Sequence, residues 1–123
     1  MSRGRGQGEL LIAAICGVPL LCEALTSALD GIADVQSFPA GCEDTDGLLR
    51  SLRPDGVVVD NFRGAEQAEA YARATLSPLV HVQLSAQTLR VLTHGSWEIA
   101  ADASPESIRN VLVGSLYRRT VTA

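Results

Sequence analysis

The sequence predicts a single α/β domain: a doubly wound, five-stranded parallel sheet with helices on both faces. Three observations carry that prediction. Short uninterrupted apolar runs recur, LLIAAI at 10–15, GVVVD at 56–60 and LVHVQL at 79–84, and strands buried on both faces of a parallel sheet read this way. Between them lie stretches whose apolar residues fall at helical spacing, so strand and helix alternate, and right-handed crossovers leave the doubly wound sandwich as the simplest topology. The 123 residues, 46% apolar and 20% charged, suit one globular core. With 4% aromatic residues, that core is packed by aliphatic side chains.

Each element follows in chain order. A Gly/Arg-rich stretch at 1–8, expected to be a disordered tail, precedes the first strand at 10–15. Gly17 and Pro19 end that strand. Proline suits the first turn of a helix, and Leu21, Leu25, Ala28 and Ile32 follow at helical spacing, which predicts a helix over 19–30. DVQSF at 34–38 alternates as a short second strand before Pro39-Ala40-Gly41 breaks the chain. Asp44 or Thr45 can cap a second helix with Leu48, Leu49 and Leu52 turned inward, ending before Pro54 because the residue preceding a proline is pushed out of the helical region. Residues 56–60 form the third strand, 65–75 a helix with Ala68, Tyr71 and Ala72 on one face, and 79–84 the fourth strand.

Residues 86–101 admit two readings: a short helix over 88–93, or two strands joined by a turn at His94-Gly95. The helix before the last strand is thus shortened or replaced by a hairpin. Ser104 as N-cap, Pro105 in the first turn and Glu106 beside it start a last helix, with Ile108, Val111, Leu112 and Ser115 on one face. The domain is expected over 9–119, followed by a tail at 120–123.

The net charge of −4 argues against direct nucleic-acid binding, because neutralising phosphates takes clustered Lys and Arg. No apolar run is long enough to span a bilayer and the N-terminus lacks the apolar stretch of a signal peptide, so a cytoplasmic protein without a membrane partner is expected. Cys16, Cys22 and Cys42 show no pairing at two-residue spacing, which suggests neither a disulfide framework nor a zinc site. His81 is expected half-buried and His94 on a surface turn, neither with a ligand or triad partner that the sequence nominates. Asp60 stands out, since it closes an all-valine run with a carboxylate. In a parallel sheet, ligands bind at the carboxyl ends of the strands, where such a charge reaches solvent.

Three segments, PLLCEAL at 19–25, LLRSLRPDGVVVDNF at 48–62 and DASPESI at 102–108, resemble in order parts of the receiver domain of bacterial two-component response regulators, most closely those with helix-turn-helix output domains. The resemblance implies a flavodoxin-like receiver sandwich, with Asp60 at the phospho-accepting aspartate and Ser85 at the hydroxyl that contacts the phosphoryl group. It also marks departures. The family's Mg²⁺-holding acidic pair falls on Cys16 and Gly17, its lysine on Ala101, and its aromatic switch position on Glu98, with Trp97 one residue earlier. Phosphoryl transfer relies on a bridging metal and an opposing cation, and Mg²⁺ takes carboxylates and water rather than a thiol. Neither Mg²⁺ nor another cofactor is therefore expected, and Asp60 reads as a vestigial phospho-acceptor.

The chain thus resembles a degenerate receiver, or pseudo-receiver: a non-enzymatic signalling module that acts through protein partners, alone or as the N-terminal regulatory part of a transcriptional response regulator. Receivers self-associate through their last helix and its neighbours, so the resemblance makes a homodimer the first partner to test, with Trp97, Leu116 and Tyr117 as interface candidates. Two other readings stay open. The emptied pocket around Cys16, Gly17, Asp60 and Ser85 could admit a small-molecule effector. Cys16, placed just before a helix N-terminus, could act as the phosphocysteine of a phosphotransferase component, although its loop has no Gly/Ser-rich anion cradle and no nearby Arg.

Overall fold

The computed structural model of the chain describes residues 10–39, 44–93 and 95–122. The expected tail at 1–8, Cys42, His94 and the side chains of Ala101, Leu116 and Tyr117 lie outside the described residues. Ten elements follow in order: β1 (Leu10–Cys16), α1 (Pro19–Ala28), β2 (Ala33–Pro39), α2 (Thr45–Leu52), β3 (Gly56–Val59), α3 (Phe62–Thr75), β4 (Leu79–Gln83), β5 (Thr88–Thr93), β6 (Ser96–Asp102) and α4 (Pro105–Thr122). The last helix runs past the boundary expected at 119. No helix among the described residues is long and apolar enough to cross a membrane.

The strands form one sheet in the order β2-β1-β3-β4-β5-β6. β1 pairs in parallel with β2 and β3, and β3 with β4. β5 runs antiparallel to both β4 and β6. The expected five-stranded parallel sheet is thus corrected to six strands in a mixed, mostly parallel sheet, and of the two readings of 86–101 the strand pair holds. The physical reason lies in the chain between β4 and β6. Only the four-residue turn Leu84-Ser85-Ala86-Gln87 follows β4, too little for the dozen or more residues a parallel crossover needs. Thr88–Thr93 then buries Leu89, Val91 and Leu92 within the sheet.

Both faces of the central strands are buried, which explains their apolar runs. On one face Ile12, Ala14, Val58, Val80 and Val82 pack under Leu21, Leu25, Ile108 and Leu112 of α1 and α4. On the other, Ala13, Ile15, Val57, Val59 and Leu79 pack under Leu49 of α2 and Ala65, Ala68, Tyr71 and Ala72 of α3. Trp97 joins this second cluster, so it packs on the α2/α3 side. Burying side chains such as Ile12, Leu25 and Leu112, each 0% exposed, contributes roughly 1.5–3 kcal/mol apiece.

The caps agree with the local sequence. Asp44 accepts from the Gly47 amide to start α2, and Asn61 accepts from the Gly64 amide at 2.6 Å to start α3. Ser104 Oγ accepts from the Ser107 amide at the start of α4. α1 is the exception: its N-cap position is Val18, whose side chain makes no capping bond.

Candidate functional site at the strand carboxyl ends

The strand order reverses at β1, with β2 on one side and β3 on the other, and ligand sites of open α/β sheets lie at such switch points. There the chain places Cys16 and Gly17 at the end of β1 and Asp60 immediately after β3, with Ile15 level with Val59 in the register. Asp60 meets the β1–α1 loop directly. Its Oδ1 and Oδ2 accept from the Gly17 amide at 3.0 and 2.9 Å, and Oδ2 accepts from the Val18 amide at 3.1 Å. Asn61 Nδ2 donates to Oδ1 at 3.0 Å. The carboxylate therefore ties down the two amides just before α1 and places an anion near the helix's positive end, from another strand.

Cys16 and Gly17 lie beside Asp60. Cys16 is 6% exposed, and burial, followed by the neighbouring Cys22 and Asp60, pushes its thiol well above the ordinary value. The thiolate needed by a phosphocysteine is disfavoured there. Ser85 lies in the exposed β4–β5 turn. Glu98 is exposed on β6, and Ala101 lies on β6 with its side chain outside the described residues. Beside Asp60 stand a thiol and a glycine, and both oxygens of Asp60 accept hydrogen bonds from the chain itself. Among the described residues, no group of three or more His, Cys, Asp or Glu side chains is placed to hold a metal ion.

A second cluster, which the sequence reading did not find, lies beside the start of α3 on the α2/α3 face. His81, expected half-buried, is 1% exposed, because it pairs level with Val59 of β3 and Arg90 of β5 inside the sheet. Its ring meets Phe62 edge-on at 4.7 Å between centroids. The Arg90 guanidinium lies 4.2 Å from the Trp97 ring centroid and 5.5 Å from that of Phe62. His81 Nδ1 and Arg90 Nε are enclosed without a hydrogen-bond partner among the described residues. Burial, and then the Arg90 charge, hold the His81 imidazole below its ordinary value, while Asp60 pulls the other way. The turn at 84–87 makes Gln83 and Thr88 opposite, and that register sets His81 against Arg90.

Apolar side chains collect at this end of the sheet. Val18 is 38% exposed, Leu20 73%, Phe62 60% and Leu84 42%, and each belongs to a segment leaving the carboxyl end of β1, β3 or β4. No protein-family model matches the chain, and neither a curated protein nor a solved structure matches it.

Proposed function

We propose that the chain is a receiver-like signalling module of the flavodoxin-like class that works by protein contact through the carboxyl-end rim of its sheet, without a Mg²⁺-dependent aspartyl phosphorylation cycle. The observation that carries this reading is the engagement of Asp60. A phospho-acceptor needs a free carboxylate oxygen beside a metal, whereas here the carboxylate bridges the β1–α1 loop as a structural strut. Val18, Leu20, Phe62 and Leu84 around it leave apolar area in solvent, and such surface marks contact sites more often than isolated exposed residues do.

A photo-cross-linking residue placed at Leu20 or Phe62, with one at the exposed Ala74 of α3 as reference, tests the reading in cells. A discrete adduct from the two rim positions and none from Ala74 is the expected result. The same adducts from all three positions, or none from any, would contradict it.

A further inference from the structure

Arg90 is held in an arrangement that the contact reading does not use. The Arg90 guanidinium lies over the Trp97 ring at 4.2 Å and 5.5 Å from the Phe62 centroid, and a guanidinium held against an aromatic ring still offers its in-plane N–H edge, whose fork matches a carboxylate in two parallel bonds. No carboxylate of the described residues fills that role. The ion pairs among them are Arg50–Asp46 and Arg73–Glu69, and Asp60, near enough to act on His81, has both oxygens engaged by Gly17, Val18 and Asn61. Arg90 Nε is enclosed and unpaired, while its terminal nitrogens are not among the enclosed atoms. The buried His81 Nδ1 is a second polar atom without a partner on the same patch of sheet.

Apolar surface flanks this cation. Phe62 is 60% exposed, and Ile99, level with Arg90 on β6, is 67% exposed. A small hydrated anion would use the guanidinium edge and leave that surface wet. An anion joined to a flat apolar group would use both.

We propose that Arg90, held over Trp97 and beside Phe62, binds a small aromatic carboxylate, with the acid group on the guanidinium edge and the ring against the exposed part of Phe62. The site shares Phe62 with the rim of the contact reading, while Arg90, His81 and Trp97 lie outside that rim.

The test uses the whole chain and its own reporter, because Trp97 is the single tryptophan and touches the guanidinium. Titration with benzoate, followed by Trp97 emission, is expected to saturate with a Kd of about 1 mM or below. Benzamide, which keeps the ring without the charge, and acetate, which keeps the charge without the ring, are each expected to bind at least about tenfold more weakly. Arg90→Lys retains the charge and loses the fork, and weakens benzoate at least about tenfold; Phe62→Ala weakens benzoate and leaves acetate unchanged. No saturable change by about 10 mM benzoate, an equal response to benzamide, or an unchanged Kd in a folded Arg90→Lys variant would overturn the proposal. Should Arg90→Lys fail to fold, the comparison of benzoate, benzamide and acetate on the unaltered chain decides.

Discussion

Replacing Asp60 by Ala tests whether its carboxylate is a strut. The substitution leaves the Gly17 and Val18 amides without their acceptor and removes the anion facing the start of α1. Hydrogen bonds to a charged acceptor contribute about 1.5–3 kcal/mol when buried, and these are exposed to solvent, so about 1 kcal/mol for each amide is the appropriate scale. The charge at the helix N-terminus adds about 0.3–1 kcal/mol. The expected loss is roughly 2–3 kcal/mol, or about 8–12 °C in Tm for a chain of this size. Asp60→Asn keeps one acceptor oxygen and loses the charge, for a cost of about 1 kcal/mol. Urea unfolding monitored by far-UV circular dichroism measures both, with an unchanged m-value as the check that the unfolded state is the same. A carboxylate kept for chemistry is commonly held at a cost to stability, and its removal then stabilises. An Asp60→Ala variant as stable as the parent, or more stable, would refute the strut.

Two further predictions concern the cluster and the end of α3. The His81 imidazole titrates in the folded chain below its ordinary value of 6.5, so the unfolded chain takes up the proton first; stability is full above about pH 6.5 and falls as pH drops toward the folded value. His81→Phe removes that slope, and urea midpoints at pH 7.5 and 5.5 should differ less in the variant than in the parent; equal differences would exclude His81 as the source. Leu76 ends α3 in the left-handed conformation, with φ of 58° and 68% exposure. Leu76→Gly removes a steric cost of about 1 kcal/mol and buries nothing less, so a higher urea midpoint is expected, and a lower one would contradict the assignment of strain.

The parts of the fold that were legible in the sequence are those where one signal sufficed. β1, β3 and β4 read as apolar runs because helices cover both their faces, and α4 read from Ser104-Pro105-Glu106 because its cap is local. TLRVLT at 88–93 was ambiguous because Leu89, Val91 and Leu92 suit a helix face and a buried strand alike. The length of the preceding turn decided between them, and turn length is not a periodic signal. α3 begins at Phe62, three residues before the expected start, because Asn61 caps it. In the site, the place of Asp60 at the carboxyl end of β3 followed from the apolar run that it closes, while its grouping with Cys16 and Gly17 was only what the resemblance implied. Its role as an acceptor for backbone amides did not, since those partners carry no side-chain signature. The Arg90 cluster needed the antiparallel register of β4 and β5, and so could not be read before the strand pair was known.

The most direct measurement is the intact mass of the protein after incubation with acetyl phosphate and Mg²⁺, with Asp60→Asn alongside. A strut whose oxygens are held by Gly17, Val18 and Asn61, beside a thiol and a glycine instead of an acidic pair, should gain no phosphoryl group, and the two proteins should stay at their starting masses. A gain of one phosphoryl group that Asp60→Asn lacks would show that the carboxylate leaves the loop and still accepts phosphate, and the contact module without a phosphorylation cycle would be the wrong description.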